Sequence, residues 1–455
     1  MLDVGASSNQ TLAAATAVDL PQILLTFGMI PLISGVITMI LVPFCIRLAF
    51  ALDIVDRPDE RKRHGRIVPY TGGIAMLAGW VSALVWNHNL YADHTRVLAG
   101  VLLASIIIGA VGLYDDKYKM PAKSKLFAQI GCALLLWLSG VGTTAAGVLL
   151  QAFYIYGTGE WFSILVQGLS LFLVLGVIVA ACNAANLIDG LDGLCGGITS
   201  ILAAGMVVLS VHIMLFWTES GVEDPQLSHL RVALSLALLG ATIGFLGYNS
   251  PPARIFMGDA GSLFIGLNVG TLMILLCEVN AKWFLGALML FGLPIADTLL
   301  AIARRWRRGE HIFKPDNWHL HHLLIRRGLT VRQAIWVLYL LSFTFALTGM
   351  TVIHLRLRYA ALVFISFVTN FITMAILLGA FGLSKDGQRV PDKQLTRRGS
   401  LGLNIDHAIS LNPDEDNEKQ PESPSAAATE PARYHPSGQA DPPGPTPGPD
   451  VPRTA

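Results

Sequence analysis

Apolar runs of roughly twenty residues, the length of helix that crosses a hydrocarbon core of about 30 Å, recur along this chain of 455 residues. Eleven such runs are visible, at 23–50, 70–87, 97–114, 126–141, 163–182, 195–217, 231–247, 263–278, 283–303, 334–353 and 359–382. Inside a bilayer every backbone polar group needs a partner within the protein, which a helix provides. The sequence therefore predicts an all-α, polytopic membrane protein with about 11 transmembrane helices.

The composition agrees with a membrane protein and excludes soluble classes. Hydrophobic residues make up 53% of the chain and charged residues only 14%, against about 25% charged residues in soluble domains. The P-loop motif G-x-x-x-x-G-K-[ST] is missing, as is a G-x-G-x-x-G that follows a strand, so soluble nucleotide-binding folds are excluded. The five cysteines lie in or beside apolar runs without metal-ligand spacing, which is typical of small core residues.

Basic residues are distributed unevenly between the two sets of loops that eleven spans create. The loops at 51–69, 115–125, 183–194, 248–262 and 304–333 together hold eighteen Lys and Arg residues. The alternate loops hold four, which are Arg96, Lys282, Arg356 and Arg358. Because Lys and Arg are enriched in cytoplasmic loops, we expect the first set and the C-terminus to be cytoplasmic and the N-terminus to be outside.

Three parts of the chain differ in composition. A short extracytoplasmic segment at 1–22 is predicted to precede a transmembrane domain at 23–382, and a cytoplasmic tail follows at 383–455. The tail is dense in Pro, Ser, Ala, Asp and Glu, a composition that buries too little apolar surface to offset the entropy lost on ordering. We therefore predict that the tail is disordered.

Four polar segments interrupt the apolar runs, and all of them fall in the basic set of loops. They are DDKYKMPAKSK from Asp115, NAANLIDGLDGL from Asn183, YNSPPARIFMGDAGS from Tyr248 and RRWRRGEHIFKPDNWHLHH from Arg304. Ionisable groups beside a hydrocarbon core are costly and are usually functional. The four segments therefore define a candidate site on the cytoplasmic face.

The segment at 183–194 gives the strongest indication of function. Asn186, Asp189 and Asp192 are spaced three apart, close to one helical turn, which predicts that they share a helix face. Gly190 and Gly193 would admit the close approach of a ligand or of another backbone.

The other polar segments also have structural interpretations. Asp115 and Asp116 can form a solvated helix cap, and Asp259 can cap the helix that follows it. The His-rich segment could indicate zinc, but no cysteine accompanies it and the neighbouring arginines repel a cation. Asp297, inside an apolar run, can pair with those arginines near the membrane surface.

Together the four segments supply the groups that phosphate chemistry needs. Their carboxylates suit a hard cation such as Mg²⁺, which prefers oxygen ligands and keeps substrate phosphates in its shell. Their Lys, Arg and His side chains suit phosphate oxygens, and their Asn and Asp side chains can hydrogen-bond to a base or a sugar. The sequence thus indicates phosphoryl transfer at the membrane surface, from a nucleotide-activated donor in water to an acceptor in the bilayer.

Four motifs in this order resemble those of the polyprenyl-phosphate N-acetylhexosamine-1-phosphate transferases, which form glycosyltransferase family 4. They are DRPDERKRHGRIVPYTGG, GLYDDKYKMPAKSKLFAQ, NAANLIDGLDGL and RIFMGDAGSLFIG. A fifth, PDNWHLHHLLIRRGLTVRQA, resembles the His-rich loop of the branch that uses UDP-N-acetylglucosamine. The resemblance covers residues 50–333. It departs from the family pattern at Ile67, where a proline is usual, and at Asn317, where a basic residue is common.

This resemblance implies a reaction and a location. The enzyme would transfer N-acetylhexosamine 1-phosphate from a UDP-sugar to undecaprenyl or another polyprenyl phosphate and release UMP. The favoured sugar phosphate is GlcNAc 1-phosphate. Mg²⁺ is the implied cofactor, with Mn²⁺ as an alternative. The implied role is the first membrane step of cell-envelope polysaccharide synthesis at the bacterial inner membrane. A homodimer is one option for its assembly, and no nucleic-acid partner is expected.

The resemblance also implies roles for individual residues. Asp115 would orient or deprotonate the acceptor phosphate with Asp116 beside it, and Asp259 would hold the metal on the diphosphate. The expected substrate-binding residues are Lys125 on phosphate, Asn186, Asp189 and Asp192 on the uridine side, Phe256 stacked on uracil, His319, His321 and His322 near the sugar phosphate, and in addition Asn183 and Arg304.

Three alternatives stand beside this interpretation. The family branch that transfers phospho-MurNAc-pentapeptide has a His-rich loop without the Asp-Asn-x-His-x-His-His arrangement found here. An ion-coupled transporter would place carboxylates near mid-span and show inverted repeats. A membrane scaffold that binds partners through its tail would leave the polar segments unexplained.

The charge asymmetry generates a test of topology. Cysteines introduced at positions 90 and 225 should react with an impermeant thiol reagent added to intact cells, because those loops are expected outside. Cysteines introduced at 120 and 312 should react only after the membrane is permeabilised. The reverse labelling pattern would move the polar segments to the opposite face.

Overall fold

The structure, a computed structural model, describes residues 20–57, 67–216, 224–311 and 318–377. All of these belong to one compact unit, Met1–Leu401, and a second unit, Gly402–Ala455, lies outside the described residues. The predicted disordered tail at 383–455 lies outside them too, as do most of the N-terminal segment, the middle of the first motif and Asn317. The predictions made for those parts stay predictions.

Within the described ranges the chain is almost entirely helical. The helices are α1 (Leu20–Phe27), α2 (Met29–Ala51), α3 (Gly72–Trp86), α4 (Thr95–Tyr118), α5 (Ala122–Leu138), α6 (Ala145–Ala152), α7 (Glu160–Ile188), α8 (Leu194–Phe216), α9 (Pro225–Asn249), α10 (Gly258–Cys277), α11 (Ala281–Leu290), α12 (Gly292–Arg307), α13 (Leu320–Arg326), α14 (Val331–Val352) and α15 (Leu357–Leu377). A 3-10 helix, His88–His94, leads into α4. Two short antiparallel strands, β1 (Val55–Asp56) and β2 (Val68–Pro69), lie between α2 and α3. The predicted all-α class is confirmed.

Each predicted apolar run coincides with a helix or a pair of helices, but these helices differ in length. Eight helices of the described ranges are long and apolar enough to cross a membrane, and the pair of α11 and α12, which is bent by 74°, makes a ninth if it is counted as one span. Pro294 lies in the first turn of α12, where proline is tolerated because its missing N–H has no helical partner. The remaining two runs form α3 and α5, of 15 and 17 residues. The predicted number of about 11 spans is therefore not established.

Helix α10 lies at the centre of the bundle. Every residue of this helix except Asp259 is buried. A helix that is apolar on all sides is expected where neighbours surround it completely. One of its polar side chains, Asn268, donates to Ser105 Oγ of α4 at 3.0 Å. The first turn of α10 is therefore the place where this enclosed helix meets solvent.

Glycines let the neighbouring helices reach the backbone of α10. A Cβ atom at Gly112 of α4 would lie 2.4 Å from a backbone nitrogen of α10, and one at Gly73 of α3 would lie 2.2 Å from another. A Cβ at Gly266 of α10 itself would lie 2.4 Å from a Cα atom of α7. Small residues commonly allow such approach between membrane helices. These contacts fix the ends of α3, α4 and α7 around Asp259.

Candidate active site

Two carboxylates from different helices share one lysine. Asp115 lies near the end of α4, Asp259 begins α10, and Lys125 lies in the first turn of α5. Lys125 Nζ is 2.6 Å from Asp115 Oδ2 and also donates to Asp259 Oδ2. The Asp115 side chain is 5% exposed, whereas those of Lys125 and Asp259 are 26% and 22% exposed. Asp115, Asp116 and Asp259, called the acidic cluster below, are thus enclosed by protein but open on one side.

Asp116 holds the N-terminus of α10 in place. Its Oδ1 accepts a hydrogen bond from the N–H of Asp259 at 2.8 Å, and its Oδ2 accepts one from the N–H of Ala260 at 3.2 Å. The first N–H groups of a helix have no partner within the helix, so a carboxylate there satisfies them and offsets the helix dipole. The two neighbouring aspartates therefore differ in role. Asp115 faces Lys125, and Asp116 fixes the backbone that carries Asp259.

Asn186 connects α7 to the acidic cluster. Its Nδ2 donates to Asp259 Oδ1 at 2.8 Å and to Ser262 Oγ at 3.0 Å. One turn earlier, Asn183 Nδ2 donates to Gln129 Oε1 of α5 at 2.9 Å. Gln129 follows Lys125 by four residues, so both lie on one face of α5. The carboxylate of Asp259 is therefore held between groups from α5 and α7.

The prediction that Asn186, Asp189 and Asp192 share one helix face is wrong. Helix α7 ends at Ile188, and Asp189 follows as its C-cap with non-helical φ −79° and ψ 54°. Asp192 lies beyond the helix, and its Oδ2 accepts from the N–H of Ala253 at 2.9 Å. The spacing of three therefore places these side chains around a turn, where Asn186 contacts Asp259 and Asp192 contacts Ala253.

Asp189, the C-cap of α7, has a raised pKa. Burial, together with the nearby carboxylates of Asp259 and Asp192, raises the pKa of Asp189 to about 7. Near neutral pH the Asp189 side chain therefore carries a proton in about half of the molecules. A protonated carboxyl group can donate one hydrogen bond and accept others.

Two residues that the sequence analysis did not single out hold the turn after Asp189. Asn249 Oδ1 accepts from the N–H of Gly193 at 2.9 Å, and its Nδ2 donates to the carbonyl of Ile255 at 2.9 Å. The hydroxyl of Tyr339 in α14 donates to the carbonyl of Gly193 at 2.6 Å. Asn249 belongs to the polar segment at 248–262 and could have been suspected. Tyr339 lies inside an apolar run and gives no signal in the sequence.

The three histidines of the His-rich loop form one cluster of rings. The centroids of His319 and His321 are 5.9 Å apart with nearly parallel planes, and those of His321 and His322 are 4.1 Å apart. A Cβ atom at Gly190 would lie 2.7 Å from the His321 ring. The His-rich loop therefore packs directly on the turn that carries Asp189.

Asp297 anchors this cluster from α12. Its Oδ2 is 2.9 Å from His319 Nδ1, and its Oδ1 accepts from the N–H of Leu320 at 3.0 Å. Asp297 is 1% exposed and His319 is 5% exposed. Arg304, two turns later on α12, is also buried. Both oxygens of Asp297 thus hold the start of α13 and the His319 ring, a role that the sequence did not predict.

An aromatic pair lies beside the loop that leads into α10. The rings of Phe256 and Tyr70 are 5.8 Å apart, and Lys119 Nζ is 5.3 Å from the centre of the Tyr70 ring. The N–H of Phe256 donates to the carbonyl of Pro69 at 2.8 Å, which ties this loop to β2. Burial and a hydrogen bond with Asp56 raise the pKa of Tyr70, so its hydroxyl stays protonated.

The oxygen donors of the acidic cluster suit a hard divalent cation. Protein sites for Mg²⁺ usually offer one or two carboxylates, and water and substrate phosphates complete the shell. Asp115 and Asp259 converge on one ammonium group, which shows that a cation is accommodated between them. Among the described residues no group of three His, Cys, Asp or Glu forms a complete metal site. The remaining ligands would therefore come from substrate and water.

An apolar groove of about 450 Å³ lies along the same helix that carries the two asparagines. It is lined by α6, α7, α10, α11 and α12, with Leu169, Gly176 and Ala181 on the α7 side. A Cβ atom at Gly176 would meet nothing within 4 Å. Along α7 the lining of the groove runs from Leu169 to Ala181, and Asn183 follows two residues later.

Comparison with known proteins points to one family. Residues 98–277, which include the acidic cluster, match the model of glycosyl transferase family 4. A probable undecaprenyl-phosphate N-acetylglucosaminyl 1-phosphate transferase of Bacillus subtilis is 33% identical over 322 residues, or 70% of this chain and 82% of the relative. A decaprenyl-phosphate N-acetylglucosaminephosphotransferase of Mycolicibacterium smegmatis is 33% identical, covering 69% and 79%. An undecaprenyl-phosphate alpha-N-acetylglucosaminyl 1-phosphate transferase of Escherichia coli K12 is 31% identical, covering 64% and 74%.

The anchoring role of Asp297 can be measured as a coupling energy. A double-mutant cycle with Asp297→Asn and His319→Ala should give a coupling of about 1.5–3 kcal/mol in the free energy of unfolding, because a buried hydrogen bond to a charged group is worth that much. Denaturant unfolding of the purified protein in detergent gives the four values required.

A second His–Asp pair provides a matched control. His94 Nε2 is 3.0 Å from Asp224 Oδ2, but these side chains are 21% and 49% exposed. Their coupling should stay below about 1 kcal/mol because solvent screens exposed pairs. Equal coupling in the two pairs would show that Asp297 does not anchor the His-rich loop.

Proposed function

The chain belongs to glycosyl transferase family 4, and from this premise we propose that it transfers N-acetylglucosamine 1-phosphate to a polyprenyl phosphate. In this proposal the donor is the UDP-sugar and the products are UMP and a lipid-linked diphosphate sugar. The step would open cell-envelope polysaccharide synthesis at the bacterial inner membrane, with the acidic cluster on the cytoplasmic face. The names of the three relatives support the sugar phosphate and the acceptor.

The main support for the proposal is that one helix, α7, both lines an apolar groove and contributes to a polar site. Its residues from Leu169 to Ala181 line the groove, and Asn186, a little further along, binds Asp259. A polyprenyl chain is apolar and its phosphate is charged, so the acceptor needs both environments in sequence. The groove suits the chain, and the acidic cluster with Lys125 suits the phosphate together with a cation.

The proposed chemistry requires positioning more than proton transfer. An oxygen of the acceptor phosphate attacks the phosphorus that bears the sugar, and the bond between the two donor phosphates breaks. UMP leaves with the electron pair of that bond. An acceptor phosphate with a second pKa near 6 is already largely ionised at neutral pH. Asp115 would therefore orient the attacking group, while Lys125 contacts phosphate oxygens.

Mg²⁺, or Mn²⁺ in its place, would be held by Asp259 and Asp115. When bound, the ion would neutralise charge on the diphosphate. The protein's own contribution is rigidity. Asn186 fixes one oxygen of the Asp259 side chain, and Asp116 fixes the backbone beneath it.

We assign the uridine of the donor to the turn after α7 and to the aromatic pair of Phe256 and Tyr70. Asp189, which is partly protonated near neutral pH, can donate to a carbonyl oxygen or accept from an N–H. Asp192 has one oxygen bound to Ala253 and can offer the other. The His cluster, packed on this same turn, is assigned to the sugar phosphate.

The function is tested directly with the purified protein, radiolabelled UDP-GlcNAc, polyprenyl phosphate and Mg²⁺. Labelled lipid and UMP should form in equal amounts, and EDTA should stop the reaction until Mg²⁺ is added back. Asp259→Asn should lower turnover by roughly two to three orders of magnitude, because charge stabilisation by a metal is worth several kcal/mol.

Glu278 supplies the control because it follows the opposite end of the same helix. Glu278→Gln should keep turnover within about twofold of the wild type, because the amide oxygen of Gln can still accept from Thr144 and Glu278 contacts Thr144 rather than the acidic cluster. Full activity in EDTA, or equal losses in the two variants, would contradict the assignment of Asp259.

The groove is tested with two glycines of α7. Gly176→Phe should raise the KM for polyprenyl phosphate roughly tenfold, because a ring in the groove removes the burial of about two methylene groups of the lipid. The KM for UDP-GlcNAc should hardly change.

Gly168 is the matched position, since a Cβ there also meets nothing within 4 Å and the residue does not line the groove. Gly168→Phe should leave both KM values unchanged. An unchanged lipid KM in Gly176→Phe would place the acceptor chain elsewhere.

A further inference from the structure

A second polar cavity lies at the end of the bundle opposite the acidic cluster. Its volume is about 440 Å³, and α6, the start of α11 and the turn between α14 and α15 line it. The α11 wall follows shortly after α10, whose 20 residues span about 30 Å from Gly258 to Cys277. This cavity is therefore separated from the acidic cluster by about the thickness of a hydrocarbon core.

Two cations face this cavity without acidic partners. Lys282 and Arg356 both line it, together with the polar side chains of Gln151 and Asn280. No acidic side chain is part of its lining. Over the part of the chain that the structure describes, neither Lys282 nor Arg356 forms an ion pair. The cavity thus offers two uncompensated positive charges to an anion.

These charges are concentrated where the loops are otherwise poor in basic residues. The loop set at this end of the bundle contains only four Lys and Arg residues, and two of them line this one cavity. Arg96 instead donates to the carbonyl of Leu138, and Arg358 lies over the ring of Tyr359. The other two cations of this set, Lys282 and Arg356, therefore both line this cavity.

Exposed aromatic side chains mark this place as the edge of the membrane. Tyr154, which lines the cavity, is 85% exposed, and Phe153, Tyr156 and Trp161 beside it are 74%, 69% and 68% exposed. Aromatic residues with a polar tip collect at the level of lipid headgroups. The exposed ring of Phe153 offers apolar surface beside the cavity. Apolar surface for an acyl chain is therefore adjacent to the charged cavity.

We propose that this cavity binds the phosphate-bearing headgroup of an anionic phospholipid, with Lys282 and Arg356 on the phosphate oxygens. A guanidinium and an ammonium group both donate to phosphate in charge-assisted hydrogen bonds. Gln151 and Asn280 add polar contacts for the remainder of the headgroup. A neutral zwitterionic lipid carries its own cation and would be held less strongly. This site does not depend on the transferase reaction proposed above.

The test uses the full-length protein in detergent, titrated with phosphatidylglycerol or phosphatidylcholine of the same acyl chains. Native mass spectrometry gives the affinity for each lipid. The wild type should prefer phosphatidylglycerol. In Lys282→Gln/Arg356→Gln the affinity for phosphatidylglycerol should fall about thirty-fold, since each basic side chain near an anionic lipid contributes roughly a fivefold factor. The affinity for phosphatidylcholine should stay the same.

Two variants separate this site from general charge effects and from misfolding. Arg358→Gln removes an external cation that does not line the cavity, and it should keep the wild-type preference. Lys282→Arg/Arg356→Lys keeps both charges and should keep most of the affinity. The proposal would be overturned by an unchanged preference in the double Gln variant or by an equal loss in Arg358→Gln. Displacement of bound lipid by equimolar inorganic phosphate would also overturn it, because the lipid would then add nothing to the anion.

Discussion

The shared ammonium group of Lys125 is the interaction on which the polar end of this protein depends. Asp115 and Asp259 come from two different, largely apolar helices, and both carboxylates contact that one group. Like charges held close together at low dielectric repel strongly unless a cation lies between them. Lys125 keeps α4, α5 and α10 together at this end. Any ligand of the site has to use, replace or extend that cation.

Buried N–H groups at the start of α10 also need hydrogen-bond acceptors, and Asp116 provides them. Its two oxygens take the first N–H groups of α10, which in an enclosed helix have few other partners. The glycines at 73 and 112 make this possible because they let α3 and α4 approach that backbone without a side chain between them. The acidic cluster is therefore built from helix ends. Such rigidity suits a reaction in which positioning two phosphates does most of the catalysis.

Several expectations from the sequence agree with the fold, and one does not. The apolar runs predicted the all-α class, and the ordered motifs predicted the family, both of which are confirmed. The shared helix face for Asn186, Asp189 and Asp192 was wrong because α7 ends at Ile188. A spacing of three fits a helix and a turn equally well, so periodicity could not distinguish them. The topology, the metal and the roles of individual residues stay predictions.

The sequence by itself determined which parts of the chain are helices and which polar segments interrupt them, because both follow from local composition and from the cost of burying charge in a membrane. Only the tertiary structure decided the partners. Lys125 and Asp259 are 134 positions apart, and Asp297 of α12 binds His319, which lies in the next polar segment. Such pairings depend on how whole helices pack. Helix packing in a membrane is set by the shapes of small residues at distant positions, which no local pattern in the sequence encodes.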